Sequence, residues 1–306
     1  MTVSDWLIEA TQKLSTAGIG TARLDALVLL EDATSKDRAY LLAHPETRLQ
    51  GPALQRLNEW IERRTKHEPL AYIREKTEFY GRDFIVNKTV LEPRPESETM
   101  ITLLKELYEI APCIKVQSRK ASARHLDLSA DKAGRSGEIS RQARDNILIV
   151  DIGTGSGSLA ITAKLEIPDV KVAGTDIDAS CLIIARQNAK KHGVNVEFLE
   201  GDLLEPLLTN SHSLTIILAN LPYVPDNHTI NQAATMEPRL AIFGGADGLD
   251  LYRRLFEQFN RGNTRAQFVL TESLPNRHKE LAKIAKQAGF EPQKTDDFIQ
   301  VFRAEK

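Results

Sequence analysis

Two short polar motifs carry the residue types that could do chemistry in this chain. The first is Asp151-Ile-Gly-Thr-Gly-Ser-Gly157, which directly follows the apolar run Ile147–Val150. The second is Asn220-Leu-Pro-Tyr223, which follows the mostly apolar run Leu214–Ala219. Such runs indicate buried strands, and in an open α/β sheet ligands bind outside the carboxyl ends of the strands. The two motifs are therefore predicted to form one site.

The first motif supplies a glycine-rich turn, which lets backbone come close to a ligand. A dinucleotide-binding turn needs a third glycine five residues after the first, but counting from Gly153 that place is Ser158. The alternating spacing instead resembles the first motif of S-adenosylmethionine (AdoMet)-dependent methyltransferases. In that resemblance Asp151 faces the amino group of the cofactor, directly or through water. The residues of this turn predicted to bind AdoMet are Asp151, Gly153, Thr154, Gly155 and Gly157.

Acidic residues also end the next two predicted strands. Asp176 can accept hydrogen bonds from both ribose hydroxyls of AdoMet, and its neighbour Ile177 is included in the predicted cofactor site. Asp178 is predicted to cap the following helix instead. Asp202 can accept the exocyclic amine of adenine, with Leu203 against the ring. One such carboxylate is usually a loop or cap residue, but acids at three consecutive strand ends beside the glycine turn indicate a cofactor site.

The second motif resembles the Asn-Pro-Pro-Tyr motif of methyltransferases that alkylate planar nitrogens, either the exocyclic amine of adenine or the side-chain amide of glutamine. Both groups are poor nucleophiles because the nitrogen lone pair is delocalised. The side-chain oxygen of Asn220 and the carbonyl of Leu221 are predicted to accept the two N–H groups, which favours charge developing on nitrogen. Tyr223 is predicted to lie flat on the acceptor, and Asn220 also belongs to the predicted cofactor site. The predicted catalytic residues are Asn220, Pro222 and Tyr223, and Leu221 joins them in the predicted substrate site.

Leu221 stands where the Asn-Pro-Pro-Tyr pattern has proline. The main-chain carbonyl is retained, but the rigidity of proline is lost and residue 221 gains an N–H that needs a partner. We expect the chemistry to be retained on a less pre-organised loop. The four residues also resemble the motif of ribosomal-RNA adenine dimethyltransferases, so the motif alone leaves the acceptor open.

The elements that must position these motifs follow from the hydrophobic pattern. Alternating strands and helices over 146–306 predict a Rossmann-like α/β domain with a largely parallel sheet. Residues 1–68 predict a small helical domain, 69–112 a β-hairpin and linker helix, and 113–145 a polar, basic, flexible insertion. Helices are predicted at 3–14, 22–31, 36–43 and 52–66, hairpin strands at 72–79 and 83–86, and sheet strands at 147–151, 170–176, 194–200, 214–219, 267–272 and about 298–302.

Composition limits the classes of function. The net charge is −2 at pH 7, so no global basic field draws the chain to nucleic acid, although the basic insertion leaves an RNA or ribosome contact as a lesser alternative. Cys113 and Cys181 show no metal-ligand spacing, so no metal site and a reduced, cytoplasmic setting are expected. The absence of a signal-peptide pattern and of a long apolar run predicts no membrane association.

Further segments decide between the possible acceptors. Arg63-Arg-Thr-Lys-His-Glu-Pro-Leu-Ala-Tyr72 with Glu78-Phe-Tyr-Gly81, Pro93-Arg-Pro-Glu-Ser-Glu98, and Glu237-Pro-Arg-Leu-Ala241 with Gly244-Gly-Ala-Asp-Gly-Leu249 resemble the release-factor glutamine N5-methyltransferase family, known as PrmC or HemK. The resemblance implies a helical N-terminal domain, a hairpin and a class I methyltransferase domain. It also implies AdoMet-dependent methylation of the glutamine in the Gly-Gly-Gln motif of bacterial class 1 release factors.

Two other functions stay open at this point. The chain could be an N6-adenine methyltransferase acting on ribosomal RNA or DNA, or a catalytically silent AdoMet-binding module. The sequence leaves open which release factor is used and how Leu221 affects the rate. The roles of Arg94, Glu96, Glu98 and Glu237 also stay open. A monomer is expected.

Overall fold

The computed structural model describes residues 1–117, 147–207, 214–261 and 266–305. The predicted insertion lies outside these ranges from residue 118 onward. The chain divides into two compact units, and no helix in the described ranges is long and apolar enough to cross a membrane. The first unit comprises Met1–Glu78, Asp83–Glu92 and Thr229–Arg239, and the second comprises the described residues of Phe79–Arg82, Pro93–His228 and Leu240–Lys306.

The first unit is mainly helical. Its helices are α1 (Val3–Thr16), α2 (Ala22–Thr34), α3 (Arg38–Ala43), α4 (Gly51–Thr65) and α5 (Leu70–Arg74). α1 begins at a capping box, in which Thr2 Oγ1 accepts the N–H of Asp5 at 3.1 Å and Asp5 Oδ2 accepts the N–H of Thr2 at 3.1 Å. α3 begins later than predicted because the Asp37 side chain accepts the N–H of Tyr40 and caps the helix. The apolar faces bury a common core that includes Leu14, Leu29, Leu30 and Leu57.

The β-hairpin follows α5 and is shorter than the sequence predicts. Its strands are β1 (Lys76–Phe79) and β2 (Arg82–Ile85). The predicted strand at 72–79 is wrong at its start, since residues 72–74 close the helical turn that begins after Pro69. Glu75, with φ 58°, then ends α5 in the left-handed conformation. Tyr80 and Gly81 have φ of 52° and 70°, the positive values that a two-residue type I′ turn requires.

The second unit contains a seven-stranded sheet in the order β5-β4-β3-β6-β7-β9-β8. Five strands are parallel, as predicted, and β3 is buried at every position because helices cover both faces. The strands are β3 (Ile147–Ile152), β4 (Lys171–Asp176), β5 (Glu197–Glu200), β6 (Leu214–Ala219), β7 (Ala266–Glu272), β8 (Phe290–Asp296) and β9 (Ile299–Ala304). The helices that follow the hairpin along the chain are α6 (Glu98–Gln117), α7 (Ser158–Glu166), α8 (Ala179–His192), α9 (Arg239–Ile242), α10 (Asp250–Arg261) and α11 (His278–Gln287).

The antiparallel edge of this sheet is where the sequence prediction is incomplete. The strand expected at about 298–302 is present as β9, but it pairs antiparallel with β7 and with β8, which was not predicted. β8 is mostly polar and exposed and contains Pro292, a composition that indicates a loop. It is tolerated because the strand lies at the sheet edge, where the register shifts between Pro292 and Lys294.

Strand order places the two polar motifs side by side. β3 lies between β4 and β6, so the chain leaves β3 toward one side of the sheet and returns on the other. At such a switch point the connecting loops diverge and open a crevice outside the carboxyl ends of the strands. Ile152 pairs with Ala219, so the chain leaves the two strands toward Gly153 and toward Asn220 at the same level of the sheet.

Candidate active site

The glycine turn after β3 depends on glycine for two physical reasons. Gly155 has φ of 53° and open space around it, so only its backbone conformation restricts the position. Gly157 has φ of 80°, and a Cβ there would lie 3.0 Å from Ile161 Cδ1 and 3.1 Å from Ala185 Cβ. Gly155 allows the backbone to take the left-handed conformation that the turn requires. Gly157 leaves room for the start of α7 to pack directly against α8.

The buried Asp151 side chain is hydrogen-bonded to the turn and to the start of α7. It is 1% exposed, and Oδ2 accepts hydrogen bonds from Thr154 Oγ1 at 2.6 Å and from Ala160 N at 3.2 Å. Burial raises the pKa of Asp151 to about 7. A buried carboxylate with a raised pKa is stabilised by a nearby cation, so its position fits a cofactor that carries positive charge. The direct or water-mediated contact with the amino group stays a prediction.

Asp176 and Ile177 line the end of β4. Asp176 Oδ2 accepts the N–H of Gly155 at 2.9 Å and Oδ1 accepts the N–H of Asp178 at 2.9 Å, while burial raises the pKa of Asp176. The backbone N–H of Ile177 is a third donor to this carboxylate, which has about four acceptor positions, so the contact with the ribose hydroxyls stays a prediction. Ile177 is exposed. Asp178 accepts the N–H of Ser180 at 2.8 Å, which confirms it as the cap of α8.

The loop after β5 is held by α10. Arg254 forms an ion pair with the Asp202 carboxylate through Nη2 and Oδ2. Gln258 bonds the loop backbone twice, since Oε1 accepts the N–H of Leu204 at 2.8 Å and Nε2 donates to the Asp202 carbonyl at 3.2 Å. These contacts hold Leu203 at φ 54°, a strained conformation for leucine. Arg254 and Gln258 were not predicted from the sequence, and the contact of Asp202 with adenine stays a prediction.

A chain of hydrogen bonds surrounds the acceptor motif. Asn220 Nδ2 donates to Ser97 Oγ at 2.8 Å, and Ser97 Oγ donates to Glu272 Oε2 at 2.6 Å. The Tyr223 hydroxyl donates to the other carboxylate oxygen, Oε1, at 3.0 Å. Glu272 is fully buried at the end of β7, and burial raises its pKa. The two predicted polar side chains of the motif therefore share one buried carboxylate.

Leu221 joins the acceptor motif to the glycine turn. Its N–H donates to the Tyr252 hydroxyl at 3.3 Å. This is the hydrogen-bond partner that a residue other than proline needs at position 221. The Leu221 side chain is buried, and Cδ2 lies 3.2 Å from the place that a Cβ would take on Gly153. The structure thus brings the predicted cofactor turn and the predicted acceptor motif into contact.

The segment after the acceptor motif folds back along it. Val224 N donates to the Ile242 carbonyl at 3.0 Å, and Gly244 N donates to the Val224 carbonyl at 2.9 Å. A Cβ on Gly244 would lie 2.2 Å from the Pro222 carbonyl oxygen. Glycine at 244 is therefore required by the close approach of the acceptor backbone.

Several residues of the site escaped the sequence prediction. Ser97 lies in the Pro93–Glu98 linker, whose role could not be derived from sequence. Glu272 ends a predicted strand, as Asp151 and Asp176 do, and that shared position was a usable signal. The linker also carries Glu98, whose Oε1 accepts the N–H of Tyr80 at 2.7 Å in the hairpin turn. Among the residues that the structure describes, no group of His, Cys, Asp and Glu side chains could hold a metal ion.

Two family models match the chain. The model described as PrmC N-terminal domain matches residues 5–74, and the model described as methyltransferase domain matches residues 149–237. The second match spans the glycine turn, Asp176 and Asn220–Tyr223. The predicted fold class, an α/β methyltransferase domain with a helical N-terminal domain, is confirmed by these matches and by the sheet order.

Similar proteins support the same assignment. A release factor glutamine methyltransferase of Koribacter versatilis is 35% identical over 261 residues, which cover 84% of this chain and 81% of that protein. A release factor glutamine methyltransferase of Deinococcus radiodurans is 30% identical over 299 residues, covering 97% and 95%. A bifunctional methyltransferase of Rickettsia bellii is 32% identical over 264 residues, covering 83% of this chain and 45% of that protein. The chain thus spans about half the length of the bifunctional relative.

Proposed function

The chain belongs to the release factor glutamine methyltransferase family, and on that premise we propose that it methylates a bacterial class 1 release factor. The methyl group comes from AdoMet, and the acceptor is the side-chain amide nitrogen N5 of the glutamine in the Gly-Gly-Gln motif. One observation carries this proposal. The side chain of Leu221 packs on Gly153, so an acceptor motif for planar nitrogens lies directly beside a turn that fits AdoMet.

The residues that would hold AdoMet belong to three strand ends. Burial raises the pKa of the Asp151 carboxyl to about 7, so a positive charge beside it would stabilise its ionised form. This supports a cationic cofactor at this place. When bound, AdoMet supplies a methyl group on a positively charged sulfur. The proposed cofactor-binding residues are Asp151, Gly153, Thr154, Gly155, Gly157, Asp176, Ile177, Asp202, Leu203 and Asn220.

The acceptor amide must be made nucleophilic by its contacts. Asn220 Nδ2 is occupied by Ser97, which leaves Oδ1 to accept one N–H of the glutamine amide. The Leu221 carbonyl accepts the other N–H. Two such acceptors favour positive charge on nitrogen as the bond to carbon forms, and the fixed loop supplies the orientation.

Tyr223 contributes a ring rather than a base. Burial and the neighbouring Glu272 carboxylate raise the pKa of Tyr223 far above its usual value. The hydroxyl therefore stays protonated and donates to Glu272 Oε1. This bond fixes the ring plane, on which the planar amide can lie.

The partner and setting follow from the same proposal. A class 1 release factor is the protein substrate, which implies the cytoplasm of a bacterium. We further propose that the enzyme acts as a monomer and without direct contact to nucleic acid. The net charge of −2 supports the last point, since a nucleic-acid enzyme usually carries a basic field.

The test is transfer of labelled methyl from AdoMet to a purified bacterial class 1 release factor. The same factor with the Gly-Gly-Gln glutamine replaced serves as the control substrate, and ribosomal RNA is offered separately. Label on the native factor alone supports the proposal. Label on RNA alone would replace it with the adenine methyltransferase hypothesis, and AdoMet binding without any transfer would leave a silent binding module.

A further inference from the structure

The hydrogen bonds from Asn220 through Ser97 to Glu272 run in a single direction. Ser97 Oγ lies between two groups, at 2.8 Å from Asn220 Nδ2 and 2.6 Å from Glu272 Oε2. Ser97 and Glu272 are both fully buried or nearly so, at 2% and 0% exposure. Neither side chain can therefore exchange its partner for bulk water.

The Glu272 carboxylate sets this direction. It accepts from two hydroxyls, Ser97 on Oε2 and Tyr223 on Oε1, and these two hydrogen bonds favour the ionised form, which can only accept, against the burial that raises the pKa of Glu272. Ser97 donates its single hydroxyl hydrogen to Glu272. The remaining lone pairs of Ser97 can only accept, so the group of Asn220 that faces Ser97 must be the NH₂.

The consequence is a fixed orientation of the Asn220 amide. The two orientations of an asparagine side chain have nearly the same shape and differ in which end presents the donor. With the NH₂ held by Ser97, Oδ1 is the end left to face an incoming amide. In the reversed orientation Asn220 Oδ1 would face the lone pairs of Ser97 Oγ, and the Asn220 NH₂ would face the NH₂ of the glutamine with no acceptor between them.

We propose that Ser97 and Glu272 are positioning residues of the methyl transfer, which lock the Asn220 amide with Oδ1 toward the acceptor nitrogen. The inference rests on the proposed function and deepens it. Ser97 acts through Asn220, and Glu272 acts through Ser97 and through the Tyr223 hydroxyl that it holds. Their loss is expected to lower kcat far more than AdoMet affinity, since Asn220 is the only proposed cofactor-binding residue to which they are hydrogen-bonded in the described part of the chain.

A matched pair of variants tests Ser97. Ser97→Thr and Ser97→Val have side chains of the same shape, and only threonine keeps the hydroxyl. Both variants carry the same additional methyl group in the buried site, so any packing cost is common to them. We expect kcat for release-factor methylation to be on the order of 10²-fold lower for valine than for threonine, the size found when a donor or acceptor of a reacting centre is lost. The Kd for AdoMet should agree within about twofold.

Glu272→Gln tests the Glu272 end of the hydrogen-bond chain. This variant tests the inference by itself if Ser97→Val does not fold. Glutamine has the same shape but a single acceptor oxygen, so Ser97 and Tyr223 cannot both donate to it. We expect kcat to fall at least about tenfold. The double variant Ser97→Val/Glu272→Gln should be no slower than the slower single variant, because residues that act as one unit are not additive.

The outcomes separate the inference from the function on which it rests. Equal kcat for the threonine and valine variants, native kcat for Glu272→Gln, or losses that multiply in the double variant would each overturn the inference while the native enzyme still methylates the factor. Loss of AdoMet affinity parallel to kcat would also overturn it, since that indicates a general structural role. No transfer by the native enzyme would contradict the proposed function itself.

Discussion

The Tyr252 hydroxyl accepts the N–H of Leu221 at 3.3 Å and lies 3.1 Å from the carbonyl oxygen of Ala219. The same hydroxyl also bonds the carbonyl of Glu272. Tyr252 is fully buried on α10. It therefore ties the ends of β6 and β7 together at the first peptide of the acceptor motif. It also supplies the partner for an N–H that a proline at residue 221 would not have.

Tyr252→Phe is expected to lower the free energy of unfolding by about 1–3 kcal/mol, because it leaves buried main-chain groups without their partner. In a Leu221→Pro background the same change should cost about 1 kcal/mol less, since one of those groups, the N–H of residue 221, is gone. Urea unfolding of the four proteins measures this coupling. An equal cost of Tyr252→Phe in both backgrounds would show that the Leu221 bond contributes nothing.

Gly244→Ala is expected to disturb the acceptor motif through shape alone. A Cβ at this position would lie 2.2 Å from the Pro222 carbonyl oxygen, so the acceptor backbone must move. We expect a loss of stability of about 1–3 kcal/mol and a fall in kcat of more than about tenfold. Gly20→Ala is the matched control, since Gly20 has no positive φ and nothing within 4 Å of its Cβ position, and it should change neither quantity.

Asp151 should make stability depend on pH in a known direction. Its pKa rises from 3.8 to about 7 in the folded protein, mainly through burial, and the neighbouring Asp176 carboxylate raises it further. Because the folded state binds this proton more tightly than the unfolded chain, the free energy of unfolding falls as the pH rises from about 4 to about 7. Asp151→Asn lacks this titrating group. The contributions of all other titrating groups are common to both proteins and cancel in the difference between their free energies of unfolding.

The measurement compares native protein with Asp151→Asn in urea at pH 5, 6, 7 and 8, without cofactor. Between pH 5 and 8 the native protein should lose about 2–3 kcal/mol relative to the variant. The variant should also bind AdoMet more weakly at pH 8, where native Asp151 is charged. A constant difference across this pH range would mean that Asp151 has an ordinary pKa.

Arg64 is expected to stabilise the first unit rather than to contact a substrate. Its Nε lies 2.7 Å from Asp25 Oδ2, and the two side chains are only 12% and 5% exposed. Arg64→Ala leaves the Asp25 carboxylate buried without its charge partner, which should cost about 3 kcal/mol. Lys283→Ala breaks the exposed pair with Glu280 and should cost under about 0.5 kcal/mol. Similar urea midpoints for the two variants would contradict the structural role.

Residues close in the chain were largely predictable. The glycine turn after β3 and the helix cap at Asp178 each depend on neighbours within a few positions, so their patterns are visible in the sequence. The edge strand β8 was missed for a physical reason. Its register and its polar residues are set by pairing with β9 at an exposed edge rather than by burial, so the hydrophobic pattern of a strand is absent.

The sequence by itself determined the parallel part of the sheet, the glycine turn and the acceptor motif, because periodicity and turn chemistry are local. Only the tertiary structure decided how these parts are held. Ser97 and Glu272 lie 175 positions apart, and Leu221 and Tyr252 lie 31 apart, yet each pair shares a hydrogen bond. Such bonds form only where packing brings buried polar groups within about 3 Å and excludes water, and no local pattern encodes that distance.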